Sequence, residues 1–268
     1  MTVRPQRQAR HITVCRWLDL SPNLRRIVFH APTLADYPFH CNGAHIKLFF
    51  PHEGENQPQL PTFSSRGPVW ADPNNKPIAR TYTLREFDAT ACTLSVDFVK
   101  HGDNGPASYF AEHVQIGQII GISEPAGPIP MLKPAKRYFM AGDLTALPAI
   151  SAMLAEMDSQ AEGDVLLWLP EQADWPNDLT IPTAIHIHPF VGGLDQIKQL
   201  VAFAHTCTPP TIEDFVWVAG EASMVAPLRV LARQQWQIPL ARCYAVPYWR
   251  SGESEEAYHQ KRHDFMDN

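Results

Sequence analysis

The stretch RYFMAGDLTALPAISAMLAEM, from Arg137 to Met157, decides the fold class of the second half of the chain. It reads as an apolar strand, a tight Ala-Gly turn and an amphipathic helix. Such alternation predicts an α/β domain with a mostly parallel sheet covered by helices. It continues toward the C-terminus in DVLLWLP, AIHIHPF, DQIKQLVAFAH, DFVWVAG, MVAPLRVLARQQW and ARCYAVPYW.

The first half of the chain has a different pattern. Its apolar segments are short, rich in β-branched and aromatic residues, and separated by Pro, Asn or Gly, which predicts antiparallel strands in a closed barrel or a sandwich. The polar, Pro-rich connection 55–77 is expected to be an exposed loop. We place the domain boundary in EPAGPIPMLKPAK, Glu124 to Lys136, which gives domains 1–130 and 131–268. The strand-like segments are HITVCRWLDL, LRRIVFHA, AHIKLFFP, ARTYTLREFD and CTLSVDFVKH.

Composition narrows the classes of protein. A chain of 268 residues with 45% hydrophobic content can bury a sizeable core. Its net charge of -6 argues against nucleic acid as a partner. No apolar run reaches the roughly 20 residues that cross a bilayer, and MTVRPQRQARHITV lacks the apolar centre of a secretion signal, so we expect a cytoplasmic protein without a membrane partner. The five cysteines show no CxxC spacing, which indicates reduced thiols rather than disulfides or a metal site.

Two turns of the second half resemble each other, 141–145 (AGDLT) and 219–223 (AGEAS). In each, a strand leads into a helix whose N-cap we expect to be the hydroxyl residue, with free amide donors and the positive end of the helix dipole beyond it. Neither turn has the GxGxxG dinucleotide fingerprint. Since small and capping residues are common in such turns, either turn alone indicates only an ordinary connection.

In the first half, RTYTLREFD (Arg80 to Asp88) carries groups suited to a phosphate and a flat ring. In a strand, Arg80 and Tyr82 share one face while Thr81 and Thr83 share the other. A guanidinium grips phosphate through two donors, and a phenol ring offers a stacking surface. This is the layout that a bound flavin nucleotide requires, although a surface arginine and a half-buried tyrosine on an ordinary strand give the same tetrapeptide.

The segment HGDNGPAS, from His101 to Ser108, follows the next predicted strand. It passes through two glycines and enters a helix near Pro106, whose missing N–H costs nothing in the first helical turn. The amides at Gly105, Ala107 and Ser108, with the Ser108 hydroxyl, are placed to hold a pyrophosphate. Together with RTYT, this segment favours a flavin dinucleotide site.

Five ordered motifs resemble the siderophore-interacting protein family, flavin-dependent ferric-siderophore reductases of the ferredoxin-reductase superfamily. The resemblance extends to about Gly252. It implies an N-terminal antiparallel Greek-key β-barrel that binds flavin, followed by a C-terminal α/β nucleotide-binding domain with a parallel sheet. The motifs are RTYTLREFD, DFVKHGDNGPASYFAEHVQIGQIIGISEPAG, YFMAGDLTALPAI, WVAGEASMVAPLR and YAVPYWRSG.

The resemblance further implies FAD held between the two domains and reduction of ferric siderophores in the cytoplasm for iron acquisition. Electrons would come from NADH, NADPH or reduced ferredoxin, and we expect a monomer. One departure is Leu144, where the family usually has Glu. The implied cofactor residues are Arg80, Tyr82 and Thr83 on the phosphate and isoalloxazine, Phe98 and Val99 along the ring edge, His101, then Gly105, Ala107 and Ser108 on the pyrophosphate, and Asp143, Thr145 and Ala146 from the second domain.

For an anionic ferric siderophore, the resemblance places cationic groups beside the flavin at Lys47 and Arg250, with Trp249 and Tyr248 suggesting an aromatic-lined pocket. Lys47 is equally well explained as a solvated strand lysine. Some relatives carry Arg near Ala126, and its absence here argues against a full basic triad. Outer-sphere electron transfer needs no acid or base, so we assign no catalytic side chain and no metal ligand.

Two other functions fit the same residues: a general NAD(P)H-dependent flavin or ferredoxin-type reductase, and a non-enzymatic siderophore carrier or regulator. His186 and His188 share a face of one strand, but we assign them no role because no carboxylate or cysteine supports them in the sequence. The charged C-terminal segment 252–268 is expected to form a solvated helix, placed to limit access to the pocket.

Overall fold

The computed structural model describes residues 8–64, 67–102, 105–177, 179–253 and 258. The chain divides into two compact units, Met1–Met131 and Leu132–Asn268. No helix within the described ranges is long and apolar enough to span a membrane. The C-terminal helix expected from the sequence falls mainly on 254–257 and 259–268, which lie outside the described residues.

The first unit is built on a seven-stranded antiparallel sheet with the order β6-β3-β9-β1-β2-β8-β7. The order is not that of a simple meander, because β9 lies between β1 and β3. A short 3-10 helix, Pro32–Asp36, follows β2, and the α-helix α1 (Pro106–Glu112) follows β8. The strands are β1 (Arg10–Ser21), β2 (Leu24–His30), β3 (His45–Phe50), β4 (Thr62–Ser64), β5 (Gly67–Val69), β6 (Ile78–Thr83), β7 (Glu86–Asp88), β8 (Thr93–Val99) and β9 (Ile119–Ile122).

The sheet curls into a barrel at the segment that the sequence suggested to be one strand. β6 and β7 lie at opposite ends of the sheet, yet only Leu84 and Arg85 separate them. The Leu84 N–H donates to the Ala44 carbonyl beside β3, and the Arg85 N–H donates to the Ser95 carbonyl of β8, both at 2.9 Å. The two ends of the sheet therefore meet at this corner, and the predicted barrel is confirmed.

Two details of the first unit differ from the sequence interpretation. The connection 55–77 is not wholly irregular, because β4 and β5 pair within it as a separate two-stranded ribbon. β9 was not recognised, since IIGI is short and shows no alternation. Three of its four residues are buried whichever face they lie on, which removed the periodic signal, and it pairs with both β1 and β3.

The second unit holds a five-stranded parallel sheet with the order β12-β11-β10-β13-β14. β13 is buried along its whole length, as expected for a strand covered on both faces. No α-helix joins β11 to β12 in the described residues; that connection has one 3-10 turn, Gln172–Asp174. The elements are β10 (Arg137–Gly142), α2 (Leu147–Glu156), β11 (Glu162–Leu169), β12 (Ala184–Val191), α3 (Gln196–Ala204), β13 (Phe215–Glu221), α4 (Ala222–Val230) with a following π-helical turn, and β14 (Cys243–Trp249).

This strand order places the chain reversal of the sheet between β10 and β13. In open α/β sheets, ligands bind at the carboxyl ends of strands at such a switch point. The two similar turns, 141–145 and 219–223, follow β10 and β13. The fold therefore brings them side by side.

Candidate functional site

In the first unit, the register of β6 against β3 confirms the predicted alternation of RTYT. Tyr82 and Arg80 pair with Ile46 and Leu48, which are core residues. Thr81 pairs with Lys47 on the opposite face. Arg80 and Tyr82 thus belong to the inner face of the barrel, and both are half-buried.

Tyr82 is held in place by the core beneath it. Its ring centroid lies 4.5 Å from that of Phe98, with the rings inclined at 40°. The Arg80 guanidinium donates to the Ala79 carbonyl at 2.9 Å, and Thr83 is buried. This end of β6 therefore offers a supported phenol ring and a partly exposed guanidinium two residues apart.

Phe98 does not have the exposure that a ring-edge contact through its side chain requires. It is fully buried and also lies 5.9 Å from Phe110, so its side chain belongs to the barrel core. Val99 is half-buried at the end of β8. The Phe98 ring instead supports Tyr82 from the core.

The segment 101–108 forms a loop closed by its own serine. The Ser108 Oγ accepts from the His101 N–H at 3.0 Å and donates to the Gly102 carbonyl at 2.6 Å. Ser108 is buried, whereas His101 is exposed. Gly105, at φ 114°, leads into α1 with Pro106 in the first turn, as predicted. Asp103 and Asn104 lie outside the described residues.

The loop leaves backbone donors rather than the serine hydroxyl for a ligand. The first N–H groups of any helix have no partner within the helix, and here these belong to Ala107 and Ser108. The Ser108 hydroxyl is already used on both sides by the loop. The hydroxyl was expected to help hold a pyrophosphate, whereas in the structure its hydrogen bonds set the shape of the loop.

Lys47 is exposed on β3, with its Nζ 3.4 Å from the Thr81 Oγ1. The pairing of β3 with β6 places Lys47 on the opposite face of the sheet from Arg80 and Tyr82. The structure therefore does not bring Lys47 onto the face that carries the phosphate and ring groups. The arginine of some relatives has no counterpart here, and Ala126 instead forms a backbone bridge with His45.

In the second unit, the turn after β10 is organised by Asp143. This carboxylate is 2% exposed. Its Oδ1 accepts from the Thr145 N–H at 2.8 Å, from the Ala146 N–H at 3.3 Å and from the Thr145 hydroxyl. Ala146 and Leu144 are buried, so Leu144 occupies an apolar position.

The turn after β13 repeats this arrangement with Glu221. Its carboxylate, also 2% exposed, accepts from the N–H and the hydroxyl of Ser223. The expectation that Thr145 and Ser223 are hydroxyl N-caps is therefore wrong, and the amides of Thr145, Ala146 and Ser223 are taken up by the carboxylates. The acidic residue two positions earlier caps each turn, because a carboxylate accepts charge-assisted hydrogen bonds from both the amide and the hydroxyl. The pattern D-x-T and E-x-S was the signal in the sequence.

Asp143 also links the two turns. Its Oδ2 accepts from the Glu221 N–H and from the Trp249 Nε1–H, both at 2.7 Å. Gly220 allows this approach: its φ is 124°, and a Cβ added there would lie 2.5 Å from the Asp143 Oδ2. Burial raises the pKa of Asp143, and the hydrogen bonds from Thr145, Trp249 and Glu221 oppose that rise.

Trp249 and Arg250 lie where β14 ends. The Trp249 ring stacks on Trp168 at 6.2 Å and 19°. Arg250 is 55% exposed, with its Nε 3.8 Å from the Glu253 Oε1. Tyr248 contacts Trp217 instead, which lies on the other face of the sheet from Trp168. The predicted pocket lined by both aromatic neighbours of Arg250 is not formed, and only Trp249 is on the face of Trp168.

The two histidines of β12, His186 and His188, differ in their surroundings. His188 does have a carboxylate partner, since its Nε2 lies 2.8 Å from the Asp164 Oδ1. His186 is exposed. Among the described residues, no group of three or more His, Cys, Asp or Glu side chains could hold a metal ion.

Two family models match the chain in succession. The siderophore-interacting FAD-binding domain covers residues 13–129, and the siderophore-interacting protein model covers residues 135–252. The chain is 38% identical over 251 residues to the ferric vibriobactin reductase ViuB of Vibrio cholerae, with 92% of each chain covered.

Solved structures agree on the fold. The siderophore-interacting protein SipS from Aeromonas hydrophila superposes with a TM-score of 0.87 at 43% identity, covering 98% of this chain and 99% of that one. The cytochrome P450 reductase GcoB of Amycolatopsis has a TM-score of 0.62 at 14% identity, covering 91% of this chain and 71% of that one. At that identity the second likeness concerns the fold alone.

Proposed function

The chain belongs to the siderophore-interacting protein family, and we propose on this premise that it is an FAD-dependent reductase of ferric siderophores. The observation that carries the proposal is the match of both family models in order, together with a named ferric-siderophore reductase at 38% identity over 92% of the chain. The reaction releases iron because ferrous iron binds the hard oxygen donors of siderophores far more weakly than ferric iron does.

The groups found in the first unit fit FAD. Tyr82 presents a ring supported by Phe98, and Arg80 carries a guanidinium suited to phosphate. We assign the pyrophosphate to the backbone amides of Gly105, Ala107 and Ser108, with the flavin edge along the backbone of 98–99 and beside Thr83 and His101. The loop that Ser108 closes would hold these amides in place before the cofactor binds.

In the second unit, we assign Asp143, Thr145 and Ala146 an indirect part. Their polar atoms are engaged with one another, so this turn would meet the cofactor as a rigid surface rather than through free donors. Bound FAD supplies the ability to accept an electron pair and deliver single electrons. The protein residues hold, orient and shield the reactants.

The electron donor, the location and the assembly state are further parts of the proposal. We propose NADH, NADPH or reduced ferredoxin as donor to a cytoplasmic monomer. The carboxylates of Asp143 and Glu221 already accept from the amides of Thr145, Ala146 and Ser223, which leaves fewer donors for a nicotinamide pyrophosphate at these turns. Anaerobic stopped-flow mixing with each donor identifies the one that bleaches the flavin.

We propose Arg250 and Trp249 as substrate contacts, with Lys47 as a weaker candidate because of the face it occupies. Arg250 is exposed and cationic, which suits an anionic ferric chelate. Trp249 offers a flat apolar surface beside it.

The function is tested on the purified protein. We expect a yellow protein whose photoreduced form, kept anaerobic, converts ferric chelates to ferrous iron captured by a ferrous-specific trap. A colourless protein that binds chelates would instead indicate a carrier. A yellow protein that reduces redox proteins or free flavin but not ferric chelates would indicate a general reductase.

A further inference from the structure

The exposed Arg250 is flanked by two residues that are each tied to a buried carboxylate. On one side, the Trp249 Nε1–H donates to the Asp143 Oδ2 at 2.7 Å. On the other, the Ser251 N–H donates to the Glu221 Oε1 at 3.1 Å. Asp143 and Glu221 are themselves joined, since the Glu221 N–H donates to the Asp143 Oδ2 at 2.7 Å.

We propose that Asp143 and Glu221 act as a carboxylate clamp, a pair of positioning residues that fix Arg250 for an anionic ferric chelate. The inference rests on the proposed function, because it concerns how the same substrate is held. The same two carboxylates cap the turns after β10 and β13. The strand ends at the switch point of the sheet therefore also determine the position of the Arg250 guanidinium.

The clamp is rigid because it is dry and fully engaged. Both carboxylates are 2% exposed, and a carboxylate removed from water is tolerated only when hydrogen bonds satisfy it. Asp143 accepts from the backbone N–H groups of Thr145, Ala146 and Glu221, from the Thr145 hydroxyl and from the Trp249 indole. Glu221 accepts from Ser223 and Ser251. Neither group can shift without leaving buried donors unpaired.

Arg250 itself has little to hold its side chain. It is 55% exposed, and its contact with Glu253 is a long ion pair at 3.8 Å. Holding the Trp249 indole on one side and the Ser251 backbone on the other limits the volume that the guanidinium samples, which lowers the entropy lost when it binds an anion. The stacking of Trp249 on Trp168 supports the same backbone from the apolar side.

The neutral isosteres separate the clamp from the caps. In Glu221→Gln the side chain has one acceptor oxygen, which the Ser223 amide at the start of α4 retains. The NH₂ group then faces the Ser251 N–H, donor against donor, and that side of the clamp opens. In Asp143→Asn the NH₂ group likewise faces either the donors of its own turn or those of Glu221 and Trp249.

The test measures dissociation constants on the oxidised holoprotein, so that binding is separated from electron transfer. The probes are the anionic ferric complex of 2,3-dihydroxybenzoate and the cationic hydroxamate complex ferrioxamine B, followed by quenching of protein fluorescence. We expect Glu221→Gln and Asp143→Asn each to raise the Kd for the anionic complex by about three- to tenfold, with little change for the cationic one. In Glu221→Gln, which lies outside the assigned cofactor residues, the rate constant for reduction at saturating chelate should be nearly unchanged.

Each change is repeated with Arg250→Ala. If the carboxylates act through Arg250, they raise the Kd no further in that background. Trp249→Phe, which removes the indole donor and keeps a ring, should reproduce Asp143→Asn and serves if that variant does not fold. Asp214→Asn is the matched control, because Asp214 is a buried carboxylate that accepts from Thr211 and Arg137 at the opposite, N-terminal ends of β13 and β10.

Equal increases in Kd with and without Arg250, or none in any variant, would overturn the clamp even if the wild type reduces ferric chelates. A wild type that binds the anionic complex without reducing it would refute the reductase function and leave the clamp measurable.

Discussion

Replacing Gly220 by alanine should weaken the second unit through a collision with Asp143. The new Cβ would lie 2.5 Å from the Asp143 Oδ2 and 2.6 Å from its Cγ. The backbone φ of 124° is also unfavourable for any residue with a side chain. The carboxylate must move, and its hydrogen bonds to Glu221 and Trp249 are then stretched or lost.

The magnitude follows from a matched comparison. Gly192, in the same unit, has a φ of 134°, but an added Cβ there meets only the flexible side chain of Gln196, at 3.2 Å. Gly192→Ala therefore carries the backbone strain, about 1–3 kcal/mol, without the collision. Unpairing one buried donor costs about 1–3 kcal/mol more, so we expect Gly220→Ala to be destabilised beyond Gly192→Ala by that amount.

Thermal unfolding of both variants measures the difference. At about 3 °C for each kcal/mol in a unit of this size, Gly220→Ala should unfold about 3–9 °C below Gly192→Ala. Binding of the anionic ferric chelate should weaken in Gly220→Ala alone. Equal melting temperatures for the two variants would show that Asp143 moves without cost, and the rigidity of the carboxylate clamp would be refuted.

Three further results are expected. Arg80→Ala should lower the FAD content of the purified protein, whereas Arg16→Ala, at an exposed arginine of β1, should leave the ratio of flavin to protein absorbance unchanged. Ser108→Ala removes both hydrogen bonds that close the loop 101–108 and should speed FAD dissociation several-fold, as measured by the rise of free-flavin fluorescence; an unchanged rate would argue against a preformed loop. The Arg25 guanidinium lowers the pKa of Asp19 from 3.8 to about 2. The stabilisation that ionised Asp19 provides is therefore complete well above the pKa of the unfolded chain, and it is lost as the pH falls toward 2. The difference in unfolding free energy between wild type and Asp19→Asn should therefore be constant above about pH 5, fall steeply toward pH 2 and vanish only by about pH 1, and a difference at pH 2 as large as that at pH 5 would contradict the ion pair.

The sequence was sufficient for the fold class of both halves because periodicity reports burial. The alternation of RTYT and the strand-turn-helix of Arg137–Met157 both appear as predicted. It was insufficient where one segment serves two neighbours. RTYTLREFD looked like one strand, since nothing local indicates that Leu84 and Arg85 bond to opposite ends of the sheet.

The sequence was enough to name candidate residues of the site, but not to predict which of them contact one another. Asp143 was named, but its partners Glu221 and Trp249 are 78 and 106 positions away in sequence, and no local pattern reports such distances. Lys47 and Arg80 were expected to serve one bound complex, yet the pairing of β3 with β6 puts them on opposite faces. Such relations depend on register, which a single strand does not encode.

The barrel corner at Leu84 and Arg85 has a consequence for engineering the chain. Only two residues join the two end strands of the sheet, so extra residues inserted there would separate these strands. The barrel would open, and two unpaired edge strands would be exposed to other molecules. The connection 51–61 ahead of the β4–β5 ribbon contains no residue of the seven-stranded sheet, and a short tag inserted there should be accommodated. An insertion at Leu84 and Arg85 should therefore open the barrel, whereas an insertion in 51–61 should leave it closed.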